Sequence, residues 1–330
     1  MATTLTTADQ ILERWWERLL ELRQRLNDWE EPLRLIGLSR DQIWLNPKTE
    51  SWEEAEVLVA VEGQEVEVSA NVACFQPLDL FRLKQLQLGK LEPSISQLLV
   101  EYLPYALLPR YATQTKRAIA VSHFAQSLDG KIATNCGDSR WIGNPGNLLH
   151  AHRMRALLDG IMIGTRTLQN DQPSLTVRLV TGPNPRRIVL SSSARDFSSL
   201  FASSPDPVLV LGNGEPASGD NLEYERLPAA SGHIPCQTIL EHLYQKGIRS
   251  VYIEGGSETT SHFLREHMID IMQLHLSPRV FGSGISGIVL PEIEEVRQCV
   301  SFEHFAFMPV GDSVMFVGEP RWNVPNEPKS

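Results

Sequence analysis

The chain has 330 residues, 42% of them hydrophobic, and a formal net charge of −10 at pH 7; this is enough apolar material for one large domain or two ordinary ones. The acidic balance argues against nucleic acid or an anionic membrane surface as partner, because phosphate arrays are gripped by clustered Lys and Arg. The cysteines at 74, 136, 236 and 299 form no Cys-x-x-Cys pair, no secretory leader opens the chain, and no apolar run nears the ~20 residues that cross a bilayer, so a soluble cytoplasmic protein with reduced thiols is expected.

Residues 7–27 carry a helical period, with Ile11, Leu12, Trp15, Leu19, Leu22 and Leu26 on one face and Thr7 with Gln10 as a capping box. Valines alternate through 55–72 around Gly63, the pattern of a two-stranded hairpin. More helix is expected over 78–103, interrupted near Gly89 and Pro93, and the Pro109-containing stretch 104–116 reads as a passage between domains. An N-terminal α+β extension over 1–115 and a second domain over 116–330 follow from this division.

Beyond Arg117 the pattern changes to short apolar runs at 118–125, 160–164, 187–190, 207–211 and 251–253, each followed by a turn and then a helix-like stretch. Buried strands of an α/β sheet with crossover helices produce this pattern. The runs at 272–276, 301–307 and 314–317 have too little helix between them for crossovers, which predicts an antiparallel edge.

Within this region several short motifs stand in order. Ser-Leu-Asp-Gly-Lys-Ile-Ala occupies 127–133, Gly-Asp-Ser-Arg-Trp-Ile 137–142 and Arg-Met-Arg 153–155. Gly-Thr-Arg-Thr-Leu-Gln-Asn-Asp-Gln-Pro-Ser-Leu-Thr-Val-Arg fills 164–178, and Glu-Gly-Gly-Ser begins at 254. Taken singly, each has an ordinary structural explanation. Asp129-Gly130 and the stretch 170–173 make polar turns, Trp141 can fill a core, and paired arginines usually make surface ion pairs. Asn144-Pro145 is an N-cap with proline at the first helical position, and Gly255-Gly256 between strand and helix suits an anion at the helix N-terminus.

Taken together, the spacings over about 117–318 resemble the reductase domain of bacterial riboflavin-biosynthesis deaminase-reductases. The resemblance implies a dihydrofolate-reductase-like α/β fold, a mixed, mainly parallel sheet flanked by helices, that binds NADPH. It also implies reduction of 5-amino-6-(5-phosphoribosylamino)uracil by hydride transfer to the sugar C1′, and a homodimer. Matched position by position, it places Ala125, Trp141, Gly164, Thr167, Asp171, Ser192, Gly255, Gly256 and Ser257 at the cofactor, and Arg195 with Ser192 at its 2′-phosphate. Ser139, Arg155, Leu175, Arg178 and Glu254 fall at the substrate. Arg155 and Arg178 match the arginines that hold its phosphate, for which a planar guanidinium fork is apt. Asp171 and Glu254 are the candidate catalytic acids. The sequence departs from the family pattern at Gln172, where a second acid is common, and at Ser191, where an aspartate is common.

Deaminase-reductases also carry a zinc deaminase domain marked by His-x-Glu and Pro-Cys-x-x-Cys, and neither motif occurs here. No metal site is expected, and His150 and His152, two residues apart, fall on different helix faces. Gly-x-Gly-x-x-Gly at 282–287 opens no helix and signals no dinucleotide fold of the βαβ type. Two other readings keep the same fold: an NADPH reductase of another pyrimidine or pteridine, and a non-catalytic NADPH-binding regulatory module.

Overall fold

The computed structural model describes residues 6–47, 54–61, 72–77, 79–87, 91–140, 142–193, 196–215, 219–230 and 232–322. The chain divides into two compact units, Met1–Tyr111 and Ala112–Ser330.

Unit 1 begins with α1 (Thr7–Asn27), whose buried face carries Trp15, Trp16, Leu19, Leu22 and Leu26. Its capping box lies one residue earlier than the sequence spacing indicated. Thr6 is the N-cap, its hydroxyl accepting from the Asp9 N–H while Asp9 accepts from the Thr6 N–H. A charged acceptor at N3 outbids glutamine because it also sits at the positive end of the helix dipole.

The strands of unit 1 are β1 (Leu35–Leu38), β2 (Ile43–Leu45), β3 (Val57–Ala60), β4 (Ala73–Pro77) and β5 (Leu83–Gln87), in the order β2-β1-β3-β4-β5. The first half of the expected hairpin, β3, pairs antiparallel with β1 and parallel with β4; Val66 and Val68 lie outside the described residues. Helix was expected across 83–87, but this segment pairs antiparallel with β4. Five residues are too few for periodicity to separate the two states, and strand pairing decides.

Helix α2 (Pro93–Ala106) packs on α1, with the Trp16 and Tyr102 rings edge to face at 5.7 Å. The expected domain passage is helical as well. Pro104 falls in the last turn of α2, and Pro109 opens α3 (Leu108–Thr115), where its missing N–H costs nothing.

Unit 2 follows with β6 (Ile119–Gln126), β7 (Lys131–Ala133), α4 (Pro145–Leu157), β8 (Gly160–Gly164), α5 (Thr165–Asp171), β9 (Arg186–Leu190), α6 (Ser198–Phe201), β10 (Val208–Gly212) and β11 (Leu222–Arg226). It ends with α7 (Cys236–Gln245), β12 (Ser250–Ile253), α8 (Ser257–Arg265), β13 (Ile271–Leu276), β14 (Ile285–Ser286), β15 (Val300–Val310) and β16 (Ser313–Trp322).

One nine-stranded sheet runs β11-β10-β9-β8-β12-β6-β13-β16-β15. It is parallel from β11 to β13 and antiparallel at β16 and β15, the mixed, mainly parallel sheet with an antiparallel edge that the apolar runs predicted. Fully buried Val, Ile and Leu fill β8, β9, β10 and β12, because helices cover both faces of the parallel part. The glycine-rich stretch 282–287 forms β14 against β7, and no helix follows it.

Two charged groups tie distant strands together. The Asp159 carboxylate accepts from the N–H groups of Arg249 and Ser250 and from the Ser250 hydroxyl. Asp270 receives the Arg117 fork at 2.7 and 2.6 Å and also the Ala120 N–H. Among the described residues, no helix is long and apolar enough to cross a membrane.

Four imidazoles, those of His123, His150, His152 and His275, are buried within unit 2. Burial holds His123 well below its ordinary value of 6.5 and brings His152 and His275 down to about 4. Both ring nitrogens of His275 lack a hydrogen-bond partner. The unfolded chain takes up these protons near pH 6.5 and the folded chain does not, so stability is complete above pH 6.5 and falls as the pH drops towards 4. His275→Leu removes an unsatisfied polar ring, and is expected to gain about 1 kcal/mol at pH 7 and to lose less stability between pH 7 and 5 than the parent. Urea denaturation at the two pH values measures both effects, and an unchanged pH dependence would contradict the assignment.

Candidate functional site

In a parallel sheet the strand ends leave a crevice where helix N-termini and loop amides converge. A cleft of about 510 Å³ occupies this position, bordered by Gly164 at the end of β8, Leu190 of β9, Leu211 of β10 and Gly256 just beyond β12. Chain packing at the strand ends requires glycine. A Cβ on Gly164 would lie 2.5 Å from the Thr259 hydroxyl, and one on Gly255 2.6 Å from the Thr259 Cβ. Gly164 also lines the cleft, whereas Gly255 is buried behind it and acts as a packing glycine.

The cleft wall is rich in hydroxyl groups. Thr165 donates to the Ser191 hydroxyl at 2.8 Å, and the Gly256 N–H donates to the Thr167 hydroxyl at 3.0 Å. Ser192 is bonded to the Asn213 side chain and accepts from the Asn213 N–H. Gly256 is the N-cap of α8, and no side chain caps that helix. Its first-turn N–H groups therefore face the cleft without a side-chain acceptor, at the positive end of the dipole. Arg166 and Arg265 add two exposed cations, the first 3.7 Å from Glu258. Open helix amides, hydroxyls and arginines beside apolar Ile132, Ala133 and Ile285 are a donor set suited to a phosphate-bearing dinucleotide with one apolar face.

Asp171, the last residue of α5, also lines the cleft. Loss of hydration raises its pKa above the ordinary 3.8. The next residue, Gln172, has φ 44°, and Leu175 has φ 55° while only 1% exposed. Two non-glycine residues in the left-handed region need external support, and the loop has it. Arg155 donates to the Thr176 carbonyl at 3.2 Å, the Arg178 N–H donates to His152 Nδ1 at 3.0 Å, and the Val177 N–H donates to Asn184. Burial keeps His152 neutral, and neutrality is what leaves Nδ1 free to accept.

Arg155 was expected to face a phosphate. Its guanidinium is instead closed in a bidentate pair with Glu254, at 2.7 and 2.6 Å, with side chains 11% and 16% exposed. Arg178 is exposed, and its guanidinium bonds the Thr176 hydroxyl at 3.0 Å. His152 feels the charges of Arg155, Arg178 and Glu254 together, so the three share one neighbourhood.

The structure thus brings Ser139, Gly164, Thr167, Asp171, Ser192, Gly256 and Ser257 to one cleft. Arg155, Arg178 and Glu254 gather around His152, off its wall, and Leu175 is a buried loop residue. Ala125 pairs with His275 near the end of β6 and does not border the cleft. Trp141 and Arg195 lie outside the described residues. Sequence reasoning missed Arg166, Arg265, Asn213 and His233 on the cleft wall. Arg166 stands inside the 164–178 motif and Asn213-Gly214 is a turn pair after a strand, whereas Arg265 and His233 carried no local signal. The 127–131 motif mainly builds its own turn: Asp129 accepts from Ser127 and from the N–H groups of Phe281 and Gly282, tying it to the glycine-rich loop.

Comparison with known proteins bears directly on this arrangement. Residues 119–307, more than half of the chain, match the RibD C-terminal domain family. The riboflavin biosynthesis protein RibD of Aquifex aeolicus is 29% identical over 180 residues, covering 53% of this chain and 50% of that one. The chain therefore spans about half the length of that relative. The 2,5-diamino-6-ribosylamino-4(3H)-pyrimidinone 5′-phosphate reductase of the same organism is 31% identical over 175 residues, 49% of this chain and 78% of that one. Among solved structures, the Thermotoga maritima diaminohydroxyphosphoribosylaminopyrimidine deaminase/5-amino-6-(5-phosphoribosylamino)uracil reductase superposes with a TM-score of 0.60 at 20% identity. That superposition covers 94% of this chain and 99% of the other. The motifs that border the strand-end cleft fall within the matched residues, and the chain belongs to the RibD C-terminal domain family.

Proposed function

We propose that the chain catalyses the NADPH-dependent reduction of 5-amino-6-(5-phosphoribosylamino)uracil to its ribitylamino product, as a cytoplasmic homodimer. The observation that carries this reading is the convergence of Ser139, Thr167, Asp171, Ser192, Gly256 and Ser257 on one cleft, with Arg178 on the loop that leaves Asp171. When bound, NADPH supplies the hydride that reaches the sugar C1′. The N–H groups of the first turn of α8 hold the pyrophosphate, and Ser192 meets the 2′-phosphate that distinguishes NADPH from NADH. Arg178, whose fork is open to solvent apart from one hydroxyl contact, holds the substrate phosphate.

Of the two candidate acids, Asp171 is the better placed to hold a proton. Its pKa is raised, whereas both oxygens of Glu254 are taken by Arg155. Arg155 then acts as a positioning residue that aims Glu254 and pins the Thr176 carbonyl. A second reading, reduction of the 2,5-diamino pyrimidinone instead of the uracil, is favoured by the name of the Aquifex reductase.

The family resemblance and the exposed aromatic edge of the sheet support the homodimer. On β15, Phe305 is 48% and Phe307 60% exposed, and an edge strand with an apolar face is a natural pairing surface.

Four outcomes are expected. Arg178→Ala raises KM for the phosphorylated substrate by well over tenfold, since a charge-assisted bond to an anion is worth about 1.5–3 kcal/mol, while Asp171→Asn acts mainly on kcat. Stopped-flow loss of NADPH absorbance reads both, and an unchanged KM would remove Arg178 from the pocket. Ser192→Asp sets a carboxylate beside the 2′-phosphate and should lower kcat/KM for NADPH at least about tenfold while sparing NADH; equal losses for both cofactors would place the 2′-phosphate elsewhere. Phe305→Asp combined with Phe307→Asp should give monomers in sedimentation velocity, and an undiminished dimer would assign the interface to another surface.

A further inference from the structure

Unit 2 accounts for about two thirds of the chain, so a superposition over 94% of it necessarily takes in most of unit 1 as well. The counterpart is matched over 99% of its length, which includes both the deaminase and the reductase portions that its name describes. At 20% identity this likeness concerns fold alone: unit 1 has the backbone arrangement of the part of that chain that is not reductase.

The side chains of unit 1 do not suit hydrolytic deamination. Zinc deaminases hold their metal with one histidine and two cysteines or with three cysteines, and a nearby glutamate shuttles the proton. All nine histidines of this chain lie at or beyond His123, and Cys74 is the lone cysteine before Ala112. Unit 1 therefore falls short of either donor set, whatever conformation its remaining residues adopt. Its interior points the same way. Among the described residues of unit 1, those buried as whole residues are apolar, aromatic, proline or glycine, and the charged side chain withdrawn from water there, Asp79 at 3% exposure, is spent in an ion pair with Arg82. A catalytic pocket for a polar heterocycle needs several buried hydrogen-bonding groups. Unit 2 has that character, with Arg155, His152, Thr176 and Ser191 all buried.

We propose that unit 1 keeps the fold of a pyrimidine deaminase as a metal-free, non-hydrolytic unit, so that the hydrolytic exchange of the pyrimidine amine for oxygen takes place outside it. In that exchange, water adds to the amine-bearing ring carbon, the C–N bond breaks and ammonia leaves, with no change in oxidation state. The step stands next to the reduction in sequence, because a uracil ring carries oxygen where a 2-amino pyrimidinone carries nitrogen. This inference rests on the reductase reading of unit 2 only for the identity of the pyrimidine.

The test uses the full-length protein. It is incubated with 2,5-diamino-6-ribosylamino-4(3H)-pyrimidinone 5′-phosphate and added zinc, and ammonia is followed in a coupled assay. NADPH oxidation is read separately with the amino and the oxo pyrimidine, and bound zinc is measured by mass spectrometry. Ammonia release is expected to equal the protein-free blank, and a purified zinc deaminase added to the same tube restores it. Zinc retained in Cys74→Ser belongs to unit 2 and agrees with the proposal. Ammonia release above the blank, or stoichiometric zinc lost in Cys74→Ser, overturns it. Failure of NADPH oxidation with either pyrimidine would instead count against the reductase reading, since the ammonia signal does not depend on it.

Discussion

The bidentate pair between Arg155 and Glu254 is the constraint on which the site depends. It joins the last turn of α4 to the residue that follows β12, 99 positions away in the chain, and the same guanidinium reaches the Thr176 carbonyl. Because the pair is largely withdrawn from water, neither charge is tolerable alone, and loss of one partner typically costs about 3–5 kcal/mol. Fixing Glu254 also fixes the glycines after it, and with them the direction in which α8 presents its open amides. One ion pair therefore sets both the far side of the candidate substrate region and the near edge of the candidate cofactor cleft.

The polar interior of unit 2 is organised around buried imidazoles as well as around charges. His123 bonds Asn147 at 2.9 Å, His150 bonds Gln273 at 3.2 Å and His152 accepts from the backbone of Arg178. For His123 and His152, burial disfavours the charged form and leaves the neutral ring, which can accept as well as donate. The strained loop at Gln172 and Leu175 is thereby held by a neutral imidazole, His152, together with the charged Arg155. His275, with no partner for either nitrogen, is the place where this polar core is least well satisfied.

Much of unit 2 was legible in the sequence because its strands are buried on both faces and read as unbroken apolar runs between turns. The N-cap at Asn144, whose side chain accepts from the Asn147 N–H, followed from a local rule, since capping involves residues three apart. Unit 1 was less legible. Its strands are three to five residues long, too short for periodicity to separate 83–87 from a helix, and Pro104 and Pro109 fall at helix positions that tolerate proline. In the site, Gly164, Thr167, Gly256 and Ser257 sit at strand ends or helix starts, where short motifs mark them, and Asp171, at the end of α5, belongs to the same motif as Gly164. Arg265 and His233 carry no such mark, because only the folded chain sets them beside the strand ends.

By itself the sequence determined the element pattern of unit 2, the order of its reductase motifs and the lack of a histidine–cysteine donor set before Ala112, since each depends on residue identity or on spacing within one element. Tertiary structure alone decided which charges meet. Arg155 and Arg178 look equivalent as a pair of arginines, yet one is neutralised by Glu254 and the other stays open. The difference arises because burial and partner choice are set by chain segments about a hundred residues apart, and no local pattern encodes that distance.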